Sequence, residues 1–350
     1  MKTTTVTQKC KKCDGELIYD SANKALVCQK CGDATAVYNH VTNLESSFQD
    51  LLLRAPMWQK EALVYCCEQC GAKSIITKHD FNVVCDYCGA KSVNRTNEIP
   101  GLRPDTVALF NLTPDDAQLK VKEWLSNRYF VPSDFIHTLK ERKLSGVYIP
   151  AFTFDARVST KYSAIGVVTK TLSTTVNGKQ TSQSHVIQRP ISGVDERMFD
   201  DMVVLANQDI APDVLKKLEP FDTQHGQVFK QEYVTGYKVS QSSREPMECW
   251  QQAKEAISSI VRDKIIAKYS GVRLHDLKLE VNITDIFYKY ILLPVYVGNT
   301  EYKGKRYELL VNGQNGKVYG KAPKSRWKIF RFFALGLLAI GGAIVLAMFL

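Results

Sequence analysis

The chain has 350 residues, which is enough for two or three domains with buried cores. Its apolar fraction of 45% and charged fraction of 23% are those of a globular protein, which excludes global disorder, collagen and a long coiled coil. The formal charge of +10 comes mainly from the C-terminus, because residues 317–350 carry six lysine or arginine residues and no acidic residue.

Two cysteine quartets lie near the N-terminus, and each consists of two Cys-x-x-Cys pairs separated by fourteen residues. The quartets are Cys10, Cys13, Cys28 and Cys31, and Cys67, Cys70, Cys85 and Cys88. Two facing Cys-x-x-Cys turns supply the four sulfurs of a tetrahedral zinc site. The sequence therefore predicts two structural zinc ions, one in each of two zinc ribbons.

A disulfide framework and a thioredoxin-type redox motif are the alternatives for these cysteines. The N-terminus shows no secretory signal, so we expect the thiols to stay reduced in a cytosol. A redox Cys-x-x-Cys would occur singly, on a turn between a strand and a helix. Cys66 aligns with Lys9 in the repeat and is predicted to be a spare thiol. Cys249 is predicted to be a small buried hydrophobic residue.

The helix and strand signals along the sequence predict a protein of the α+β class. Together with the turn signals, they divide the chain into six segments. They are zinc ribbon 1 (1–40), a helical linker (41–62), zinc ribbon 2 (63–96), an α+β body (97–320), a basic juxtamembrane segment (321–331) and a transmembrane helix (332–350). In the body, Thr113 followed by Pro114 indicates a helix start, and residues 245–269 predict a second helix. Asn177-Gly178 suits a type I′ hairpin turn.

The last 19 residues, 332–350, contain no charged or hydrogen-bonding side chain. As a helix they would be about 28 Å long, close to the thickness of the hydrocarbon core of a bilayer. Basic flanks such as the one before this segment stay on the cytoplasmic face. The sequence therefore predicts a tail-anchored, single-pass protein of the cell membrane with its N-terminal bulk in the cytoplasm. A buried C-terminal core helix is the alternative.

The body carries no recognisable catalytic motif. Its Gly-Lys pairs lack the other residues of a phosphate loop, and neither Gly-x-Ser-x-Gly nor His-Glu-x-x-His occurs. Asp155, Asp195-Glu196 and Asp200-Asp201 are candidates for a carboxylate pair, although such residues more often cap helices or face solvent. We therefore expect the chain not to be an enzyme.

Several segments resemble bacterial tandem zinc-ribbon proteins with a C-terminal membrane anchor. Besides the ribbons, these are residues 146–155 (Gly-Val-Tyr-Ile-Pro-Ala-Phe-Thr-Phe-Asp), 293–296 (Leu-Pro-Val-Tyr), 311–318 (Val-Asn-Gly-Gln-Asn-Gly-Lys-Val) and 323–325 (Pro-Lys-Ser). Members are often labelled primosomal-helicase-like or transcription-factor-IIB-type zinc-ribbon proteins, and some are encoded beside phage-shock-protein-A-like or virion-core-like proteins. The resemblance implies an anchor that recruits cytosolic stress-response proteins to the membrane. The missing phosphate loop contradicts the helicase label.

The expected function is that of a non-enzymatic adaptor that binds proteins at the cytosolic face of the membrane, with residues 332–350 in the bilayer. An apolar stripe in the linker predicts a docking face with Leu52 and Trp58 as partner-binding residues. Packing of this stripe onto the chain's own ribbons is the alternative.

Two other functions are considered. The first is a nucleic-acid-binding zinc-ribbon protein linked to replication or transcription. Charge argues against nucleic acid, because two zinc-loaded quartets change the charge of residues 1–96 from +2 to about −2. The second is an enzyme of an unrecognised type, since a fold does not by itself determine a function.

Overall fold

The computed structural model describes residues 3–5, 8–37, 45–53, 62–67, 73–77, 93–96, 104–140, 144–176, 179–208, 210–240 and 242–334. Its strands are β1 (Thr3–Thr5), β2 (Gln8–Lys9), β3 (Glu16–Asp20), β4 (Ala25–Cys28), β5 (Ala34–Ala36), β6 (Ser46–Ser47), β7 (Ala62–Cys67), β8 (Lys73–Thr77), β9 (Val93–Thr96), β10 (Thr106–Val107), β11 (Ser145–Val176), β12 (Lys179–Leu205), β13 (Gln227–Val228), β14 (Lys238–Ser240), β15 (Arg273–Tyr302), β16 (Lys305–Asn312) and β17 (Val318–Gly320). Its helices are α1 (Phe48–Leu53), α2 (Pro114–Ser126), α3 (Ser133–Lys140), α4 (Pro212–Leu218), α5 (Gln231–Val234) and α6 (Pro246–Lys268). Residues 326–334 are also helical.

A mixed ten-stranded sheet forms the centre of the molecule. Three of its strands are long: β11 has 32 residues, β12 has 27 and β15 has 30. β11 lies between the other two and pairs antiparallel with both. β14 pairs parallel with β11, and β6, β10 and β16 pair with β15. The long strands therefore hold the shorter elements of the body together.

The outer halves of the three long strands form an antiparallel sheet, which we call the arm (residues 156–176, 179–200 and 273–286). Side chains alternate between its two faces, as the pleat of a sheet requires. On one face, Val158 and Tyr162 pack with α6 in a buried cluster. On the other face, Val194 and Met198 are 55% and 61% exposed. The arm is therefore covered by a helix on only one face.

The helix signals of the body are confirmed. Thr113 caps α2 in a capping box with Asp116, and Pro114 occupies the first turn. The expected helix over 245–269 is α6, whose buried residues recur every three or four positions. The strands on either side of Asn177-Gly178 pair as a hairpin, because Val176 at the end of β11 pairs with Lys179 at the start of β12, while the two turn residues lie outside the described residues.

The predicted α+β class is wrong, because the described residues are mostly strand and ten of the strands form a large mixed sheet. Segments that resemble several short strands belong to continuous ones, and β15 alone runs from Arg273 to Tyr302. Asp276 and Asp285 have φ values of 52° and 49°, where the register with β11 shifts. These bulges interrupt the alternating sequence pattern without ending the strand.

The predicted transmembrane helix over 332–350 and the single-pass membrane location are also wrong. In the part of the chain that the structure describes, no helix combines the length and the apolar character that a membrane crossing requires. The helical residues 326–334 include three basic side chains, and Phe332 packs edge-on against Phe130 of the body with ring centroids 5.6 Å apart. Residues 335–350 of the predicted span lie outside the described residues.

Candidate metal centre

The four-stranded sheet of β2, β3, β4 and β5, with its two turns, forms ribbon 1 (residues 8–37) and brings the first cysteine quartet together. β3 pairs antiparallel with both β2 and β4, so β2 and β4 end at the same end of the sheet, on either side of the start of β3. Cys10 and Cys13 lie in the turn after β2, Cys28 ends β4, and Cys31 lies in the turn that follows. The sheet thus presents the two Cys-x-x-Cys turns to each other.

The four Sγ atoms all lie within 4.8 Å of one another, and these residues could hold a metal ion. The Sγ atoms of Cys13 and Cys28 are 3.4 Å apart, and those of Cys10 and Cys31 are 3.8 Å apart. Four sulfurs bound at about 2.3 Å around a tetrahedral zinc ion would be separated by about 3.8 Å. The spacing of the thiols therefore fits a tetrahedral ion.

The two cysteine turns have the same backbone geometry. In the first, the N–H of Asp14 donates to the carbonyl of Cys10 (2.9 Å) and Asp14 has a φ of 54°. In the second, the N–H of Gly32 donates to the carbonyl of Cys28 (2.9 Å) and Gly32 has a φ of 71°. The left-handed residue after each Cys-x-x-Cys pair reverses the direction of the chain. Within the first turn, the N–H of Lys12 donates to Cys10 Sγ (3.4 Å).

The thiols of the quartet differ in acidity. The backbone N–H of Cys31 lowers the pKa of the Cys28 thiol to about 6. The backbone N–H of Asp33 lowers the pKa of Cys31, but hydrogen bonds with the thiols of Cys13 and Cys28 outweigh this effect and raise it to about 12. Cys28, which has the lower pKa of the two, is expected to lose its proton first and to become a thiolate, the form that binds a metal.

Ion pairs neutralise part of the charge around the quartet. Lys12 pairs with Asp33, and Lys9 lies 3.8 Å from Glu16. Residues 8–37 contain five lysines and four acidic residues, and four thiolates with one divalent ion would add about two negative charges. The loaded ribbon 1 would therefore be close to neutral.

Ribbon 1 is docked on the body around Tyr19 of β3, with Leu26 of β4 in the same buried cluster. Tyr19 is 1% exposed and packs edge-on against Tyr233, with ring centroids 4.9 Å apart. The N–H of Tyr19 donates to the carbonyl of Thr235 (3.0 Å), and the hydroxyl of Tyr237 donates to the carbonyl of Tyr19 (3.3 Å). Ribbon 1 and the body therefore share one hydrophobic core.

The second quartet is described only in its strands. β7 pairs antiparallel with β8 and β9, which gives a three-stranded sheet. Cys67 is the last residue of β7 and pairs with Val93, while its neighbour Cys66 pairs with Asn94 and Lys73. The side chain of Cys67 and the residues Cys70, Cys85 and Cys88 lie outside the described residues. The second metal site therefore stays a prediction.

Two of the candidate carboxylates meet in the body. The N–H of Asp201 donates to Asp155 Oδ1 (2.6 Å), and Lys289 Nζ lies 3.3 Å from Asp201 Oδ1 and 3.7 Å from Glu45. Burial raises the pKa of Asp155 to about 6, and the nearby Glu45 adds to this shift. We call Glu45, Asp155, Asp201 and Lys289 the buried charge cluster. By contrast, Asp195 forms its ion pair with Arg197 on the arm.

Lys289, which is 3% exposed, is not among the functional residues that the sequence predicts. One signal could have found it, because Lys289 is the single charged residue in an otherwise apolar and aromatic run of β15. A lysine in a buried strand requires acidic partners, since an unpaired buried charge is strongly unfavourable.

A groove of about 710 Å³ opens beside the buried charge cluster, between β12, α4 and α6. Two of its charged side chains have partners within the protein. Arg244 donates to the carbonyls of Leu205 (3.0 Å) and Asn207 (3.2 Å), and Asp222 accepts from the ring Nδ1 or backbone of His225. Arg244 and Asp222 therefore stabilise the walls of the groove.

The structure describes only part of the apolar stripe that was predicted as a docking face in the linker. Phe48, the first residue of α1, packs against Phe154 and Trp250 with ring centroids 6.3 and 5.3 Å away, so this end of the stripe contacts the body. Leu52 lies in α1, but its side chain and all of Trp58 lie outside the described residues. Their role stays a prediction. Cys249 is fully buried in α6, as expected.

The chain is similar to the uncharacterized protein YdjG of Bacillus subtilis (strain 168). The two sequences are 25% identical over 339 residues, which cover 94% of this chain and 93% of the relative. No protein-family model matches the chain. No solved structure matches it either.

Proposed function

We propose that this protein is a non-enzymatic adaptor that binds other proteins and uses zinc to hold ribbon 1 in shape. The observation that carries the proposal is the quartet of four cysteine thiols docked on the body. Four thiolates select zinc among common ions and fill its tetrahedral shell, so no position remains for a substrate or a reactive water. The metal then contributes to folding and not to catalysis.

The face of the arm opposite α6 is the surface we assign to protein binding. Along β12, Val186, Val194 and Met198 point to this face and are 55% to 61% exposed. Lys161 of β11 lies opposite Val194, and Arg157 lies opposite Met198. A rigid sheet with exposed apolar side chains between charged ones is typical of a protein-binding surface.

The family resemblance of the sequence provides the first partners to test. It implies phage-shock-protein-A-like or virion-core-like proteins, and both are proposals for this chain. A nucleic acid is the second candidate, but the near-neutral charge of a loaded ribbon 1 and the ion pairs of Lys9 and Lys12 favour a protein.

The proposal is tested by titrating the purified, zinc-loaded chain with a purified phage-shock-protein-A-like protein in a calorimeter. We expect saturable binding that a Val194→Asp/Met198→Asp double variant weakens at least tenfold. Ile266→Asp is the matched control, because Ile266 is an exposed aliphatic residue of α6 on the other side of the arm. It should bind like the wild type.

The same titration with single-stranded and double-stranded DNA and RNA tests the second candidate. Binding of nucleic acid with a steep salt dependence, and none of protein, would replace the adaptor function by nucleic-acid binding. Equal protein affinity of the wild type and the double variant would place the protein-binding surface away from this face of the arm.

A further inference from the structure

The outer edge of β15 in the arm borders no strand in the described part of the chain. Residues 273–286 pair with β11 on one side, and no strand among the described residues pairs with their other side. β6 begins to pair on that side only at Phe287. The bulges at Asp276 and Asp285 limit the regular part of the edge to residues 277–284.

The opposite edge of the arm is protected in a different way. Among the described strands, β12 pairs with β11 alone, and it contains Pro190, which has no N–H to offer to an added strand. Prolines on edge strands are a common device against pairing between molecules. Residues 273–286 of β15 contain no proline, so this edge remains able to accept a strand.

An incompletely covered apolar stripe follows the same edge. α6 packs more closely on β12 than on β15, so the side chains of β15 on this face are only partly buried. They are Leu274, Leu277, Leu279, Val281, Ile283 and Ile286. An open backbone edge beside a stripe of aliphatic side chains is suited to the addition of a strand together with its own apolar face.

The charges of the edge select a second copy of this chain as the added strand. Lys278 and Glu280 precede and follow Leu279 in β15, and their side chains lie on the exposed face, opposite that of Leu279. Two copies related by a two-fold axis through Leu279 place Lys278 of each opposite Glu280 of the other. An axis through Lys278 or Glu280 would instead place like charges directly opposite each other, which is unfavourable.

The same register also suits the apolar face. It places Leu279 opposite Leu279 of the second copy, and Leu277 opposite Val281 of the second copy. Glu280 already lies opposite Lys161 of β11, so the row of charges would continue as lysine, glutamate and lysine across the two molecules. The charged face therefore favours this register, and the apolar face is compatible with it.

We propose that two copies of the chain form a two-fold symmetric dimer by antiparallel pairing of residues 277–281 of β15. The pairing joins the two arms into one continuous sheet and covers the apolar stripe of each copy with that of the other. The pairing leaves the exposed face of β12 in the arm accessible, so the dimer presents two copies of that surface. The dimer proposal does not depend on the proposed adaptor function.

The mass of the full-length chain in solution tests the dimer, measured by sedimentation equilibrium across a concentration series. We expect the wild type to reach twice the chain mass of 39.5 kDa at micromolar concentration. Lys278→Glu and Glu280→Lys should each raise the dimer dissociation constant at least tenfold, because each places like charges opposite one another. Glu196→Lys is the control and should remain dimeric, because Glu196 lies on the same face of the sheet but on β12, which β11 separates from β15.

Mixing the two single variants distinguishes the proposed register from a general loss of stability. In a mixed dimer, both acidic side chains of the Lys278→Glu variant face lysines of the Glu280→Lys variant, so native mass spectrometry should show heterodimers in preference to either homodimer. A wild type that stays monomeric at about 50 micromolar, where a dimer with a micromolar dissociation constant would be mostly formed, would overturn the proposal. Dimers that neither single variant weakens would also overturn it.

Discussion

Tyr19 packs edge-on against Tyr233 with ring centroids 4.9 Å apart, and this contact joins ribbon 1 to the core of the body. Cys28, a residue of the metal quartet, pairs with Leu17 on β3, only two residues before Tyr19. The cysteine turns are therefore connected to the body core through β3 and through β4, whose Leu26 pairs with Tyr19 and belongs to the same core. A change in the metal site is expected to reach the body along these two strands.

The metal content of the purified chain is the first prediction. We expect two zinc ions per chain by atomic emission, one in each quartet, and Cys28→Ser should remove one of them. Loss of the metal should also lower the melting temperature of the whole molecule, because binding free energy of the ion is folding free energy of ribbon 1.

Cys249→Ser is the matched control for the metal measurement. Cys249 is a fully buried free thiol whose Sγ lies 3.8 Å from the carbonyl of Leu205, far from both quartets in sequence. It should leave both ions bound. A single ion in the wild type would contradict zinc binding by the second quartet. Two ions in Cys28→Ser would contradict zinc binding by the first.

Removal of the Tyr19 side chain is the second prediction. Tyr19→Ala should lower the free energy of unfolding by about 3–5 kcal/mol, because it deletes a fully buried aromatic ring and leaves a cavity in the shared core. Denaturant unfolding measures the loss. Tyr129→Ala is the control, because Tyr129 is 58% exposed and should cost about 1 kcal/mol or less. Equal losses in the two variants would show that ribbon 1 does not depend on this contact.

The pH dependence of stability around Asp155 is the third prediction. Burial raises the pKa of this carboxyl in the folded state to about 6, whereas its value in an unfolded chain is about 3.9. The folded chain therefore holds the proton more tightly, and the contribution of Asp155 to stability falls as the pH rises from about 4 to 6. The full change corresponds to about 2–3 kcal/mol.

Asp155→Asn should remove this pH dependence, because asparagine keeps an acceptor for the N–H of Asp201 but does not titrate. Urea unfolding at pH 4 and pH 7 measures it. Relative to the wild type, the variant should gain about 2–3 kcal/mol between the two pH values. Asp263→Asn, on the exposed side of α6, should show no such gain. A constant difference between Asp155→Asn and the wild type would contradict the assignment.

Replacement of the buried lysine is the fourth prediction. Lys289→Met should lower the free energy of unfolding by about 3–5 kcal/mol, because it removes the cation that faces Asp201 and Glu45. The loss should be smaller when Lys289→Met is combined with Asp155→Asn, since one negative charge of the cluster is then absent. A double-mutant cycle by denaturant unfolding measures the coupling, and strict additivity would contradict the cluster.

The first cysteine quartet and the starts of α2 and α6 could be predicted from local sequence. Cys-x-x-Cys turns and the capping box at Thr113 depend on residues close along the chain, so their geometry follows from short-range chemistry. The length of β15 could not be predicted in this way. Its bulges at Asp276 and Asp285 resemble strand ends, and only the continuous pairing with β11 carries the strand through them.

The sequence by itself therefore determined which thiols can bind a metal and where α2 and α6 begin. Tertiary structure alone decided the mostly β architecture, the burial of Tyr19 between ribbon 1 and the body, and the meeting of Asp155, Asp201 and Lys289. These features join residues that are more than forty positions apart, and their free energies come from burial and charge compensation between distant segments. A short stretch of sequence does not show which distant residues will meet, because a tyrosine, an aspartate or a lysine can each occur in a strand whatever lies opposite it in the folded chain.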